Sequence, residues 1–172
     1  MTNFTPTIGS VPAQPAQPIP YKLVPMDRGL IPQSAALEKL CFSVPWTEEM
    51  LTEELESMNS TCIVAVTDDR TVLGYAGITV VLDEGYINNI AVARKYRRMG
   101  LGSDLLGVFL RFAEAQNLSF PTLEARDTNL AGRALYHKFG FEEVGRRKNY
   151  YDKPTEDAIL MTKFFRKEGN AQ

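Results

Sequence analysis

The sequence predicts a mixed α/β fold in which a mostly antiparallel, twisted sheet is flanked by helices. Between residues 61 and 93, three segments rich in Val, Ile, Thr and Tyr are separated by turns that carry Asp and Gly. This pattern predicts an antiparallel meander of strands. After Gly102 the apolar residues recur at helical spacing, and strand and helix patterns then alternate. Strands that first run antiparallel and then alternate with helices define the mixed α/β class.

The first half of the chain contains one short strand, two helices and the meander. Residues 21–24 predict the strand, and residues 27–41 predict a helix in spite of Pro32. A second helix begins at Thr47, which can cap it ahead of two glutamates in the first turn, and ends near Ser57. The strands of the meander are predicted at residues 61–67, 71–82 and 86–93.

The second half of the chain alternates helices with strands. Leu105 and Phe109 fall on one face of a helix that is predicted to end near Asn117. Asn129 can cap a later helix, which stops at Gly140 because glycine tolerates the left-handed backbone of a helix end. The remaining strands are predicted at residues 121–126, 141–151 and 157–165.

The first 20 residues differ from the rest of the chain. A length of 172 residues favours one domain, which we predict to span residues 21–168. Residues 1–20 carry no charge and repeat Pro-Ala-Gln, so we predict a disordered or loosely packed tail. They lack the cationic start and continuous apolar core of a signal peptide. No window approaches the roughly 18 apolar residues of a membrane span, and we expect no membrane partner.

Charge and rare side chains argue against several functional classes. The chain has 19 basic and 21 acidic residues, a balance that argues against nucleic acid as a direct partner. His137 is the only histidine, which argues against a Ser–His–Asp hydrolase and against a histidine-rich metal site, so no metal is predicted. Cys41 and Cys62 are predicted to be buried small apolar residues in a protein of the reducing cytoplasm.

The stretch from Arg97 to Leu106, RRMGLGSDLL, joins a predicted strand to a predicted helix. A Walker loop needs Gly-Lys-Ser/Thr, and a Rossmann turn needs a third glycine where this chain has Leu105, so neither pattern fits. Gly100 and Gly102 would let the backbone approach an anion closely, and the free N–H groups of a first helical turn point at such an anion. The alternative is a tight turn with solvated arginines.

Several motifs resemble those of the GCN5-related N-acetyltransferases, the GNAT superfamily. They are Asn-Ile-Ala-Val at 89–92, Arg-Arg-Met-Gly-Leu-Gly at 97–102, Leu-Glu-Ala-Arg at 123–126, Asn129, Ala-Leu-Tyr at 134–136 and Phe-Gly-Phe at 139–141. The resemblance implies a GNAT fold whose central strands splay apart along residues 87–92. It implies acetyl-CoA as the cosubstrate, with residues 90–92 on the pantetheine arm and residues 98–103 on the pyrophosphate. The complete set expected at acetyl-CoA is Ile90, Ala91, Val92, Arg97, Arg98, Met99, Gly100, Leu101, Gly102, Ser103 and Asn129.

A narrower resemblance covers nearly the whole chain after the tail. The segments that carry it are Pro-Trp-Thr at 45–47, Val-Leu-Asp-Glu at 81–84, Arg-Lys-Asn-Tyr-Tyr at 147–151 and Glu-Asp-Ala-Ile at 156–159. They resemble the bacterial ribosomal-protein alanine N-acetyltransferases, the RimI group. The resemblance implies that the acceptor is the N-terminal amine of a protein, with a ribosomal protein as the partner and alanine as its first residue.

Acyl transfer from a thioester to an amine needs a base, an oxyanion donor and an acid for the leaving thiol. Glu124 is the expected base because the resemblance implies a proton acceptor there. Strand alternation puts Glu124 on the same face as Arg126, so an ion pair between those two is the structural alternative. The backbone N–H of Val92 is the expected oxyanion donor.

Tyr136 is the expected acid. On a helical wheel it lies away from the apolar arc, which suggests that it does not serve packing alone. The alternative is a surface aromatic residue. The residues of the apolar arc are Leu130, Ala131, Ala134, Leu135 and Phe139.

Four residues are expected to bind the acceptor. Asp83 and Glu84 follow a strand near the expected groove, and Tyr150 and Tyr151 lie late in the chain. Acids and aromatics would suit a peptide start that carries a basic residue, and the alternative is a polar turn with two packing tyrosines. An α-amine, with a pKa of about 7.7–8.0 against about 10.4 for lysine, demands less of its base. Acetylation of lysine or of a small amine remains open, as does a noncatalytic acyl-CoA-binding module.

Overall fold

The computed structural model describes residues 18–165, so residues 1–17 of the predicted tail and residues 166–168 of the predicted domain lie outside it. Two short 3-10 turns, Arg28–Leu30 and Arg94–Tyr96, precede α1 and α3. The helices are α1 Ile31–Cys41, α2 Glu48–Glu56, α3 Leu101–Ala115 and α4 Leu130–Lys138. The strands are β1 Lys22–Pro25, β2 Ser60–Val66, β3 Val72–Val81, β4 Glu84–Val92, β5 Phe120–Arg126, β6 Glu142–Tyr151 and β7 Glu156–Thr162.

The seven strands form one sheet in the order β1-β2-β3-β4-β5-β7-β6. Strands β1 to β4 pair antiparallel with their sequence neighbours, which confirms the predicted meander. Strand β5 pairs parallel with β4 and antiparallel with β7, and β6 closes the edge as a hairpin with β7. The predicted mixed, mostly antiparallel sheet is therefore confirmed.

Strands β4 and β5 separate after three residue pairs. They pair only from Glu84–Phe120 to Tyr86–Thr122, although β4 continues to Val92 and β5 to Arg126. A bulge helps β4 to turn away, since Ile87 and Asn89 pair with consecutive residues of β3 and leave Asn88 as the extra residue. A bulge bends and twists its strand. The expected splay is confirmed, and it opens a gap between the carboxyl ends of β4 and β5.

Helices cover the two faces of the sheet. Helices α1 and α2 pack on one face, against Val64, Tyr75 and Ala91 among others. Helix α3 packs on the opposite face, where Leu123 and Ala125 of β5 join its core. Because side chains alternate along a strand, Glu124 and Arg126 lie on the α1–α2 face. The predicted alternation along β5 is confirmed.

The helix ends follow the predicted chemistry with one refinement. The segment predicted as a helix from residue 27 opens with a 3-10 turn, and α1 then carries Pro32 in its first turn, where proline is tolerated. Thr47 Oγ1 accepts the Met50 N–H at 3.2 Å, which confirms the predicted cap of α2. Gly140, after α4, has a left-handed φ of 87°. Among the described residues, every helix is too short or too polar to cross a bilayer.

Candidate active site

The loop that enters α3 presents a row of unpaired backbone donors. Within residues 18–165, the six N–H groups from Arg98 to Ser103 have no hydrogen-bond acceptor, and the first amide to find one is that of Asp104, which donates to Gly100 at 3.0 Å. Arg98 (φ 65°) and Gly100 (φ 91°) both have left-handed backbone, which turns the chain around Met99. Successive free amides at a helix N-terminus form a concave site that binds an anion such as phosphate.

Glycine is required at the two positions of this loop for different structural reasons. Open space surrounds the position where Gly100 would carry a Cβ, so its left-handed φ alone requires glycine. A Cβ on Gly102 would lie 3.3 Å from Leu135 Cδ2, so Gly102 lets α3 and α4 approach each other. The sequence motif therefore combines a turn requirement with a packing requirement.

The two arginines of the motif separate in space. Arg97 turns back to the end of β4, where its Nε donates to the Val92 carbonyl at 3.0 Å and one terminal nitrogen lies 3.6 Å from Cys41 Sγ. Arg98 stays in the left-handed turn beside the free amides. The structure therefore places Arg97, which was expected with the phosphate group, at the carbonyl of the splayed strand.

Strand β4 offers free backbone groups to the gap. The Ala93 N–H donates to the Leu73 carbonyl at 2.9 Å while Val92 lies opposite Gly74. This register makes Val92 and Gly74 a pair that does not exchange hydrogen bonds, so the Val92 N–H points away from β3. Alternation gives Ile90 the same orientation. Ile90 and Val92 therefore face the side from which β5 has withdrawn.

Two other residues expected at acetyl-CoA have structural roles. Ala91 is buried, and it sits opposite Tyr75 in a pair that exchanges its backbone hydrogen bonds with β3. Asn129 caps α4, since its Oδ1 accepts the Gly132 N–H at 3.0 Å. A Cβ on Gly132 would lie 2.5 Å from the Asn129 side chain, so glycine makes room for this cap. The predicted capping role of Asn129 is confirmed.

Glu124 forms an ion pair, but its partner is different from the one considered in the sequence. Its Oε1 lies 3.0 Å from Nε of Arg147 on β6. Arg126 pairs instead with Glu156, at 3.1 Å. The Arg147 side chain is 58% exposed and that of Glu124 is 23% exposed, so the pair stands at the mouth of the gap and solvent screens it. Sequence reasoning missed Arg147, because no short-range pattern links β6 to β5.

Tyr150 and Tyr151 lie beside Glu124. The adjacent Glu124 carboxylate and, to a lesser extent, burial raise the pKa of Tyr150. Burial, and to a lesser extent the negative charge of Glu124, raise the pKa of Tyr151 to about 12. The nearby Tyr136 adds a smaller contribution to the same rise. The rings of Tyr150 and Tyr151 meet edge to face, with centroids 5.1 Å apart. Tyr151 therefore has both the expected base and the expected acid in its surroundings.

The helical wheel of α4 was wrong about Tyr136. Leu130, Ala131 and Ala134 of the expected apolar arc are exposed. The residues of α4 and its end that pack on the core are Leu135, Tyr136 and Phe139. Arg133 of α4 forms ion pairs with Asp127 and Glu143, which a helical wheel does not take into account.

Tyr136 therefore does serve packing, with its ring edge to face against Phe141 at 6.1 Å between centroids. Burial raises the pKa of Tyr136 to about 12, so its phenol keeps its proton at neutral pH. A protonated phenol next to the gap can donate to a leaving thiolate. The protonated phenol of Tyr136 and its position near Tyr151 support its role as the acid. Its position on the helical wheel gives no such support.

Asp83 and Glu84 lie away from the other expected site residues. Glu84 pairs with Phe120 where β4 and β5 are still joined, and the Asp83 carbonyl accepts the Ser119 N–H at 2.7 Å. The eight steps from Glu84 to Val92 along β4 span roughly 25 Å at about 3.3 Å per residue. Asp83 and Glu84 were expected near the acceptor groove, whereas β4 and β5 are still paired at Glu84 and the gap opens where β4 ends. The structure therefore does not bring the two acids to the gap.

A buried carboxylate ties three elements together next to the gap. Glu38 of α1 is 1% exposed, and its Oε2 accepts the Trp46 N–H at 2.9 Å from the loop between α1 and α2. Its Oε1 accepts the Asn89 amide at 2.8 Å and the Tyr75 hydroxyl. Glu38 thereby joins the α1–α2 loop to β3 and to the bulge of β4. In the sequence it looks like an ordinary surface acid of a helix, so no signal distinguishes it.

The donors at the gap suit an anionic phosphate ligand better than a cation. They are neutral amides with Arg98 beside them. Across residues 18–165, no group of three or more His, Cys, Asp or Glu side chains is arranged to hold a metal ion. Free amides at a helix start and a free strand edge fit the pyrophosphate and the amide-bearing arm of coenzyme A.

Comparison with known proteins agrees with this geometry. The Acetyltransferase (GNAT) family profile matches residues 32–141. The [Ribosomal protein bS18]-alanine N-acetyltransferase of Escherichia coli (strain K12) is 34% identical over 135 residues, which cover 76% of this chain and 88% of that protein. The enzyme of the same name from Haemophilus influenzae is 39% identical over 97 residues, which cover 55% and 66%.

The fold comparison points in the same direction. The crystal structure of the ribosomal-protein-S18-alanine N-acetyltransferase from Escherichia coli matches with a TM-score of 0.80 at 28% identity, covering 88% of this chain and 98% of that one. Ard1 from Thermoplasma volcanium matches with a TM-score of 0.78 at 23% identity, covering 84% and 98%, which shows the shared fold. With its splayed strands, its arginine-glycine loop and these matches, this chain belongs to the GNAT acetyltransferase family and is an acyltransferase.

Proposed function

We propose that this chain transfers the acetyl group of acetyl-CoA to the N-terminal α-amine of a protein, with an alanine-starting ribosomal protein as the acceptor. The observation that carries the proposal is the gap between β4 and β5, which has free amides towards the α3 start and Glu124 with two tyrosines on the α1–α2 face. The names of the relatives from Escherichia coli and Haemophilus influenzae support the choice of acceptor.

The cosubstrate would be held chiefly by backbone groups. The amides of residues 98–103, with Arg98, suit the pyrophosphate, and the free edge of β4 at Ile90 and Val92 suits the pantetheine arm. Acetyl-CoA, when bound, supplies an acetyl group activated as a thioester. The Val92 N–H then serves as the donor to the carbonyl oxygen on which negative charge develops.

Side chains of the gap would move the protons. Glu124 accepts the proton of the attacking amine, directly or through one water. Because an α-amine has a pKa of about 7.7–8.0, a weak base is sufficient for this proton transfer. Tyr136, whose pKa of about 12 keeps it protonated, donates to the departing sulfur. Solvent screens the ion pair between Glu124 and the exposed Arg147, so the carboxylate can exchange this partner for the acceptor amine.

The same proposal covers domain organisation and location. We infer that residues 21–168 form a single acetyltransferase domain, which the single seven-stranded sheet and the family match over residues 32–141 support. Ribosomal-protein acceptors are synthesised in the cytoplasm, so this is where the proposed reaction takes place.

The test mixes the enzyme with acetyl-CoA and follows free thiol against three acceptors. These are an alanine-starting peptide, the same peptide with a blocked α-amine and an internal lysine, and a polyamine. The proposal expects thiol release with the first peptide, and a mass spectrum should locate the acetyl group on its α-amine. Transfer only to lysine or to the polyamine would contradict it. Binding of acetyl-CoA without turnover on any acceptor would instead indicate a noncatalytic binding module.

A further inference from the structure

Arg126 connects two loops on the face of the sheet that carries Glu124. Its Nη2 donates to Ser43 Oγ, in the α1–α2 loop, and to the Asp152 carbonyl, in the β6–β7 loop, both at 3.0 Å. Its Nη1 donates to the Pro154 carbonyl at 3.1 Å. Ser43 Oγ also donates to the Asp152 carbonyl at 3.4 Å, although the two residues are 109 positions apart in sequence. One guanidinium therefore holds together two loops that are distant in sequence.

The orientation of this guanidinium is fixed from several directions. Nη1 also donates to Glu156 Oε2 at 3.1 Å, and the group lies 4.4 Å from the centre of the Tyr151 ring. The backbone N–H and the hydroxyl of Thr128 donate to Glu156 Oε1, at 2.6 and 2.7 Å. These two bonds lower the pKa of Glu156, which is therefore charged. Only a planar fork can satisfy two loops, a carboxylate and a ring face together, and a lysine ammonium cannot.

The two loops border the approach to Glu124. Helix α3 packs behind β5, so an acceptor amine must reach Glu124 from the α1–α2 face. Arg126 lies two residues beyond Glu124 on that face, at the wide end of the gap, and Tyr151 contacts Arg126 while it borders Glu124. Arg126 therefore lies where the α1–α2 and β6–β7 loops meet, two residues from Glu124.

We propose that Arg126 is a positioning residue that ties the α1–α2 and β6–β7 loops and so sets which acceptors reach the thioester. Loops joined at the wide end would leave less room for a chain that continues past Glu124, and so would favour a chain that enters by its N-terminus. A lysine in the middle of a chain needs room for the chain to leave again. This inference rests on the proposed function, because it concerns acceptor choice at the same gap.

The test compares steady-state kinetics of the wild type, Arg126→Lys and Ser43→Ala. Arg126→Lys keeps a charge beside Glu156 but loses the fork, so the KM of the alanine-starting peptide should rise about tenfold, the equivalent of one charge-assisted hydrogen bond. The kcat and the KM of acetyl-CoA should stay close to wild type. The preference for the α-amine peptide over the blocked lysine peptide should fall in parallel. Ser43→Ala should raise the peptide KM about threefold, as expected for a weaker, neutral bond.

The matched control is Arg70→Lys, which makes the same change at the 2.7 Å ion pair with Asp27, at the turn between β2 and β3. It should leave the peptide KM and the acceptor preference at wild-type values. A wild-type peptide KM and preference in Arg126→Lys, or equal rises in the KM of peptide and of acetyl-CoA, would overturn the inference. If Arg126→Lys does not fold, the test rests on Ser43→Ala. An unchanged peptide KM in Ser43→Ala would then overturn the inference.

Failure of the proposed function has a different signature. In that case the wild type itself would acetylate only lysine or the polyamine, and the KM of that acceptor would replace the peptide KM in the comparison. A tenfold rise in Arg126→Lys would then still support the tie between the loops, and no rise would overturn it.

Discussion

The two sides of the gap between β4 and β5 are built from different chemical groups. On the phosphate side, the donors are backbone amides of residues 98–103 and of the free β4 edge. On the acceptor side, the groups are side chains such as Glu124, Arg126 and Arg147, whose partners come from distant parts of the chain. A turn of a few residues can align backbone amides, whereas a side-chain network needs the completed fold. Substitutions on the two sides should therefore change different kinetic constants.

Glu124→Gln should have the largest effect on turnover. The amide keeps the size of the carboxylate but cannot accept the proton, so kcat should fall by about 10²–10³-fold while the affinity for acetyl-CoA is retained. Thiol release at saturating peptide measures the first quantity, and calorimetric titration measures the second. The control is Glu84→Gln, the same change at the far end of β4, which should turn over like the wild type. Wild-type turnover of Glu124→Gln across the pH range would remove Glu124 from the mechanism.

Glu38→Ala should have the largest effect on stability. It removes the acceptor of the buried Tyr75 hydroxyl and of the part-buried donors of Trp46 and Asn89, so the free energy of unfolding should fall by about 2–4 kcal/mol. Urea unfolding measures this loss. Because the α1–α2 loop is released, the peptide KM should rise. Glu38→Gln retains one acceptor oxygen, so its free energy of unfolding should lie between those of the wild type and Glu38→Ala. A Glu38→Ala variant as stable as the wild type would show that the network contributes nothing to stability.

Tyr136→Phe should lower kcat by about 10–100-fold, because the departing sulfur loses its proton donor. The phenyl ring keeps the contact with Phe141, so the fold and the affinity for acetyl-CoA should stay as they are. Quenched time courses with the alanine-starting peptide measure turnover, and calorimetric titration measures the affinity for acetyl-CoA. An unchanged kcat would assign the proton transfer to another group, and a large loss of affinity would assign Tyr136 to cosubstrate binding instead.

Gly100→Ala should affect only the phosphate side. The left-handed φ of 91° strains any residue with a Cβ by about 1–2 kcal/mol, and relief of that strain would displace the free amides. The KM of acetyl-CoA should therefore rise roughly fivefold to tenfold, with the peptide KM unchanged. Asn tolerates left-handed backbone, so Gly100→Asn is the matched control and should lie closer to wild type. A rise in the peptide KM instead would break the separation between the two sides.

The smallest effect should appear at high pH. The pKa of Tyr136 is raised in the folded state from its ordinary 10 to about 12. Between these two values the unfolded chain has lost a proton that the folded chain keeps, so the free energy of unfolding falls as the pH rises from 10 to 12. Tyr136→Phe removes its share of this loss, by up to about 1.4 kcal/mol per pKa unit. Urea unfolding at pH 9 and pH 11 measures the difference, and equal losses in the wild type and the variant would contradict the assignment.

The parts of this molecule that could be predicted from sequence are those that short segments determine. The meander follows from alternation and turn residues, and the caps at Thr47 and Asn129 follow from a single side chain and the amides after it. The phosphate loop likewise depends on two glycines within three residues. Each of these features is decided by neighbours in the chain, so one sequence is enough to recognise it.

The acceptor side could not be predicted in the same way, because its contacts join elements far apart in sequence. Glu124 was recognised, but its partner Arg147 was not, since the pairing of β6 with β7 and of β7 with β5 brings them together. Asp83 and Glu84 were assigned to the groove because they follow a strand, and only the completed sheet shows that β4 and β5 are still joined at Glu84. The wheel of α4 failed because the face that packs depends on other elements, which partly bury Leu135, Tyr136 and Phe139 and pair with Arg133.

The most direct test of the account is a crystal structure of the enzyme with a conjugate of coenzyme A and an alanine-starting peptide. The pyrophosphate should lie within hydrogen-bond distance of the amides of residues 98–103, and the pantetheine arm should lie along the free edge of β4. The peptide should leave the gap on the α1–α2 face, past Glu124 and Tyr151. A conjugate that binds outside the gap, or a peptide that leaves on the α3 face, would contradict the account.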